Sequence, residues 1–108
     1  METMTKLPAL DGEGYLIEPQ DWNEAVATTL AAEEKISLNE DHWDVIRFMR
    51  EYFEEHQIIP DARHVIKHLN ARLGSLARNR LFELFPYGYV KQACRIAGMK
   101  RPRAWSTG

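Results

Sequence analysis

Cys94 is the only cysteine in the 108-residue chain. A thiol acts as a nucleophile or a metal ligand only as the thiolate, and nearby cations favour that form. Lys91, one helical turn earlier, and the adjacent Arg95 could supply such charge. The expected position near a helix C-terminus opposes them, because the helix dipole disfavours negative charge there. At helical spacing Cys94 also shares a face with Val90, Ala93 and Ala97, the setting of a small buried hydrophobe. The two influences on ionisation roughly cancel. The residues therefore predict no strongly activated thiol, and they leave open both a packing role and a chemical one.

His64 and His68 are spaced four apart, so a helix would place them on one face. Two such histidines can begin a metal site, but zinc needs further ligands. No carboxylate completes the motif and Cys94 is distant in sequence, so no metal site is expected. The pair belongs instead to a basic stretch with Arg63, Lys67, Arg72, Arg78 and Arg80. Two helices carrying these residues could form a helix-turn-helix that meets nucleic acid through phosphate contacts, or they could be a solvated helical hairpin. No serine sits in a nucleophile elbow, and no glycine-rich loop opens a helix to cradle phosphate. No complete catalytic set and no cofactor are implied.

These residues must be positioned by a small number of helices. Asp11-Gly12-Glu13-Gly14 between Leu7 and Ile17 predicts a β-hairpin. Trp22, Ala25, Val26, Thr29 and Leu30 recur at helical spacing behind Asp21, a suitable N-cap. Ser37-Leu38-Asn39-Glu40 matches a capping box for a second helix reaching about His56. Its apolar face, Trp43, Ile46, Met49 and Phe53 widened by Val45, Phe48 and Tyr52, is broad enough for a central helix. Pro60 suits the first turn of a third helix, whose stripe is Ala62, Val65, Ile66, Leu69 and Leu73, with Gly74 as its C-cap. A short helix over residues 76–84 stops before Pro86, and a last one over 87–97 ends at Gly98. The expected class is mostly α: one small helical domain of about five helices, residues 1–98, with an N-terminal hairpin. A flexible basic arm, residues 99–108, follows it.

Hydrophobic residues make up 44% and charged residues 28%, which is ordinary globular composition. No apolar run approaches the roughly 20 residues of a membrane span, so no membrane insertion is expected. The first residues lack a signal-peptide pattern. With a lone cysteine, these features point to the cytoplasm. The net charge of −2 conceals an asymmetry. Residues 1–62 hold four Lys/Arg against fifteen Asp/Glu, and residues 63–108 hold ten against one. Either the basic half meets an acidic partner, or the two halves face each other within the fold.

Several short runs occur together in a recognisable order. Gly14-Tyr15-Leu16 leads to Trp22, and Ile36-Ser37-Leu38 precedes His42-Trp43, Val45, Arg47, Phe48 and Arg50. Pro60 and Arg63 follow. Leu84-Phe85-Pro86, Gly88, Lys91-Gln92-Ala93-Cys94 and Ile96-Ala97-Gly98 then close with Pro102. From Gly14 to Pro102 the chain resembles the TusE/DsrC/DsvC family of small sulfur-relay proteins. The resemblance implies a helical domain with an N-terminal hairpin and a C-terminal arm that enters a partner's active site. It implies as partners either dissimilatory sulfite reductase or the proteins of a tRNA-thiolation relay. It also implies a carrier cysteine at the penultimate position of the arm, with a second, inner cysteine in DsrC-like members. Cys94 matches the inner cysteine and becomes the possible sulfur acceptor. The position matching the carrier is Trp105, which cannot hold a persulfide. Lys91, Arg95, Lys100, Arg101 and Arg103 would then steer docking and Trp105 would anchor it. The alternative is a regulatory paralogue that binds DNA or relay partners through Arg63, Lys67, Arg72 and Arg78.

Overall fold

Four α-helices carry the fold in a computed structural model, which describes residues 7–100. They are α1 (Glu24–Glu33), α2 (Glu40–His56), α3 (Ala62–Leu73) and α4 (Ala77–Leu84), with short 3-10 turns at Pro19–Asp21 and Gly74–Leu76. A π-helical segment, Tyr89–Cys94, follows α4.

The longest element, α2, is central for the reason its pattern predicts. Val45, Ile46 and Met49 are fully buried, while Trp43, Phe48 and Phe53 are partly buried around them. One core holds these residues together with Val26, Ala27, Leu30 and Ala31 of α1, Val65 and Leu69 of α3, and Ala77, Leu81 and Leu84 of α4. The π-helical segment and the turn after it add Tyr89, Ala93, Cys94, Ile96, Ala97 and Met99 to the same core. Burial of this kind contributes roughly 25 cal/mol per Å² of apolar surface and is the main force holding the elements together.

The helix starts differ from expectation in instructive ways. α2 is capped by Asn39, not Ser37: its side chain accepts from the amides of Asp41 and His42, and the His42 ring accepts from the Asn39 amide. α3 repeats the device with Asp61 and His64, leaving Pro60 just outside the helix. α1 starts behind Asn23, whose side chain accepts from the Val26 amide, because Asp21 closes the preceding 3-10 turn.

Two fold expectations are corrected. There is no N-terminal β-hairpin: among the described residues no strand forms, and the segment holds one isolated antiparallel bridge, Leu10 with Leu16. The cause is local. The Asp11 carboxylate accepts from the amides of Glu13 and Tyr15 at 2.8 and 3.0 Å, offering the backbone a side-chain partner in place of a ladder. Pro8 and Pro19 flank the turn, and neither can donate to a ladder.

Nor are there five α-helices among the described residues. The fifth expected helix, over residues 87–97, is π-helical from Tyr89 to Cys94 and turns α-helical only at Arg95 and Ile96. Gly88, at φ +111°, cannot be part of a helix, and the Tyr87 amide is taken by the Gln92 side chain. Wider i→i+5 winding commonly marks functional positions. The body described ends at Met99, which is buried, and Lys100, which is exposed. Arg101, Arg103 and Trp105, and with them most of the expected arm, lie outside the described residues.

Candidate functional site

The thiol of Cys94 lies in the core with no exposed surface. Burial pushes its ionisation up to about 12, and the neighbouring Tyr89 hydroxyl offsets this only in part. Tyr89 is itself held neutral by burial first and by Cys94 second, and its hydroxyl donates to the Pro60 carbonyl. The cations expected to activate the thiol do not reach it. Lys91 is exposed, and Arg95 turns away to form a polar cluster with Glu33, Glu34 and Gly14.

In that cluster Arg95 Nη1 donates to Glu34 Oε2 at 2.6 Å, Nη2 to Glu33 Oε1 at 2.5 Å, and Nε to the Gly14 carbonyl at 3.0 Å. The buried Gln92 donates its amide to Glu34 Oε1 at 3.1 Å. Gly14 is glycine for a reason: its φ is +90°, and a Cβ there would lie 3.1 Å from Arg95 Nε. The cluster ties the N-terminal turn, the end of α1 and the last helical segment into one unit.

A second cluster governs where the chain leaves the body. Trp22 Nε1 donates to the Ile96 carbonyl at 2.9 Å. Arg50 Nη1 donates to the Ala97 carbonyl at 2.7 Å and Nη2 to the Pro19 carbonyl at 2.9 Å. The Arg50 guanidinium sits 4.4 Å from the centre of the Trp22 ring, within cation–π range. These side chains satisfy the final carbonyls of a helical segment, which otherwise lack partners. Gly98 then turns the chain at φ +79°, with Trp22 packed so close that a Cβ would meet Cδ1 at 2.5 Å. Met99 returns to the core, its amide donating to the Cys94 carbonyl at 2.9 Å.

Beside this exit lies an open cleft of about 360 Å³. Ile17, Pro19, Phe53, Ile59 and Met99 supply its apolar walls, with Glu18 and Lys100 at its edge. Exit and cleft share Pro19 and Met99, so the base of the arm is a built feature with a preformed apolar surface next to it.

The remaining predicted site residues are dispersed. Arg72 bonds Asp41 and Asp44 of α2, both at 3.0 Å. Arg80 bonds Asp41 and Glu83, and Arg63 bonds Asp61. Both α2 aspartates are held below the usual carboxylate range, Asp41 by its bond to Arg80 first, Asp44 by its bonds to His68 and Arg72 against the cost of burial. Much of the charge asymmetry is thus matched across the α2–α3–α4 contact. Lys67 and Arg78 are exposed and form no ion pair among the described residues. His64 and His68 do not converge: His64 bonds Asp61 and Tyr52, and His68 bonds Asp44 while stacking on Phe48. No cluster of metal-ligating side chains occurs among the described residues, and no helix among them is long and apolar enough to cross a membrane.

Reading for chemistry missed Trp22, Arg50, Glu34 and Gln92, because each acts on backbone or on a distant partner. Trp22, Arg50 and Gln92 did stand among the runs that carry the family resemblance, but nothing in their spacing said what they bind.

Comparison with known proteins agrees with this geometry. A family model described as DsrC like protein matches residues 2–104. Sulfurtransferase TusE of Photorhabdus laumondii is 44% identical over 94 residues, which cover 85% of each chain. The solution structure of Allochromatium vinosum DsrC superposes with a TM-score of 0.82 at 42% identity, covering 98% of this chain and 96% of that one. The oxidised gamma-subunit of the dissimilatory sulfite reductase from Archaeoglobus fulgidus superposes with a TM-score of 0.80 at 34% identity, covering 92% of each.

Proposed function

Because the chain belongs to the TusE/DsrC family of sulfur-relay proteins, we propose that it works by docking its C-terminal arm onto a sulfur-metabolism partner without itself carrying sulfur. The partner would be a dissimilatory sulfite reductase or a tRNA-thiolation relay. The observation that carries this reading is the closed setting of Cys94: the only thiol in the chain has no exposed surface and is held protonated by burial. A neutral, enclosed thiol is a poor nucleophile toward a persulfide. In our reading of the resemblance the carrier's position falls to Trp105, and tryptophan has no such chemistry.

The docking half of the family's task is supported separately. The exit is rigidly held by Trp22 and Arg50. Lys91 and Lys100 are exposed near it in sequence and, with Arg101 and Arg103, would speed encounter with an acidic partner. Arg95 is engaged by Glu33 and Glu34, so it would shape the base of the arm and leave steering to its neighbours. Trp105 would be the anchor, since a tryptophan side chain brings large apolar area at low entropic cost.

Two measurements test the proposal. Native protein incubated with a persulfide donor is expected to show no added sulfur by intact mass. Calorimetric titration against purified sulfite reductase or relay complex is expected to show binding by the whole chain and at least tenfold weaker binding after truncation beyond Lys100. Sulfur on Cys94 of the native protein rejects the non-carrier reading. Equal binding by both forms rejects docking through the arm.

A further inference from the structure

We infer that Tyr52, His64 and Asp61 form a proton relay that makes the Tyr52 hydroxyl a nucleophile toward activated acyl esters. Tyr52 Oη lies 3.2 Å from His64 Nε2, and His64 Nδ1 lies 2.9 Å from Asp61 Oδ1. Nucleophile, base and orienting carboxylate stand in the order and at the hydrogen-bond spacing that acyl transfer uses. The carboxylate decides the tautomer. The capping box also brings the Asp61 amide to His64 Nδ1, at 3.3 Å, but the carboxylate oxygen is closer, and a charged acceptor makes the stronger bond. The proton therefore sits on Nδ1, and Nε2 is left to accept from Tyr52.

The relay is held in place from both ends. Asp61 Oδ1 accepts from the amides of Arg63 and His64 at 3.0 and 3.2 Å, and Oδ2 accepts from Arg63 Nη2 at 3.0 Å. The Tyr52 ring packs against Phe48, His56 and His64, with centroids at 5.9, 4.4 and 4.9 Å. Tyr52 is half-buried and His64 exposed, so a small donor reaches the hydroxyl from solvent. Tyr89 marks the contrast: its hydroxyl is buried and donates to the Pro60 carbonyl, which is no base. In the proposed step Tyr52 Oη attacks the acyl carbon of the ester while its proton passes to His64 Nε2. The bond from that carbon to the leaving oxygen breaks. The leaving oxygen takes the bonding pair and recovers the proton from the imidazolium, and an acyl-tyrosine remains. Asp61 is the positioning residue, acting through His64. The activity needs neither the arm nor a partner, so its failure leaves the docking proposal untouched.

The test treats the full chain with p-nitrophenyl acetate and follows acetylation of each tyrosine by peptide mapping. Tyr52 is expected to be acetylated ahead of Tyr87, although Tyr87 is 77% exposed. His64→Gln keeps a residue suited to the capping box. It should slow Tyr52 acetylation roughly tenfold or more, as loss of a general base does, and leave Tyr87 unchanged in the same digest. Asp61→Asn keeps a cap for α3. It should slow the reaction as well and move its pH midpoint downward, because the imidazole loses the adjacent negative charge while Arg63 and His56 remain. Tyr52 acetylated no faster than Tyr87, or equally fast with and without His64, overturns the proposal. So does acetyl found on His64 with the parent's rate of nitrophenol release kept by Tyr52→Phe, since the imidazole would then be the nucleophile.

Discussion

The guanidinium of Arg50 lies over the indole of Trp22, 4.4 Å from the ring centre, and the two side chains bind successive carbonyls, Ala97 and Ile96, at the end of the last helical segment. Neither residue touches Cys94 through any hydrogen bond, yet together they decide how the chain leaves the domain. Arg50→Ala is expected to destabilise the fold by about 2–3 kcal/mol, because it removes charge-assisted bonds to carbonyls that the fold keeps largely from water. Arg50→Lys should recover only part of this, since a single ammonium cannot span the Ala97 and Pro19 carbonyls as a planar fork does. Urea denaturation of the two variants beside the parent measures both.

Gly98 is a sharper probe of the same place. Gly98→Ala forces a side chain into φ +79° and into the Trp22 ring. The conformation alone costs about 1–2 kcal/mol and the overlap adds about 1–3 kcal/mol. Gly12, which has open space around it and no positive φ, should accept alanine with little change in the denaturation midpoint.

Cys94 gives a pH signature on the alkaline side. Its ionisation is raised in the folded protein from 9.0 to about 12. The corresponding stability is fully present below pH 9 and is lost as pH rises toward 12. Iodoacetamide should leave the native thiol unmodified at pH 8 and alkylate it completely in denaturant. Rapid native labelling would show that the core opens readily around Tyr89.

His42 gives the opposite signature. Its Nδ1 accepts from the Asn39 amide, so Nε2 carries the proton and donates to the Leu84 carbonyl at 2.9 Å. Burial lowers its ionisation below 6.5, outweighing the pull of that carbonyl. The folded state thus prefers the neutral ring: its contribution is complete above pH 6.5 and declines as pH falls below that value. His42→Gln should flatten this part of the stability–pH curve, as followed by thermal melts between pH 7 and 5.

The Arg95 cluster should behave as a coupled unit. A double-mutant cycle on Arg95→Ala and Glu34→Gln is expected to give a coupling of about 1–2 kcal/mol. Both groups are largely covered, with side-chain exposures of 15% and 23%, so added salt should weaken the coupling only slightly.

Much of the helical body was legible from periodicity because its helices bury stripes that recur at 3.6 residues: Ile46 and Met49, Val65 and Leu69, Leu81 and Leu84. The hairpin was misread because Asp11 can serve a turn without serving a ladder, and composition does not distinguish the two. The π-helical segment was read as α because its winding depends on Gly88 and on the bond from Tyr89 to Pro60, 29 residues away. Burial of Cys94 was foreshadowed by Ala93 and Ala97 on its face. The exit could not be read, since Trp22 and Ile96 are 74 positions apart and Arg50 and Ala97 are 47. The charge asymmetry was plain in the sequence, but counting charges does not say which of them share a surface; Asp41 and Arg80 do.

The Arg95 cluster also bears on how the protein is made. Gly14, Glu33 and Glu34 wait for an arginine at position 95, and Trp22 waits for the carbonyl one residue later. A ribosome delivers the acidic half first, with none of these partners yet available. Contacts so distant in sequence form late and slowly. Nearly the whole chain must therefore emerge before α1 and the N-terminal turn can settle, and a nascent chain stalled before Arg95 would be held in an unfinished, protease-sensitive state.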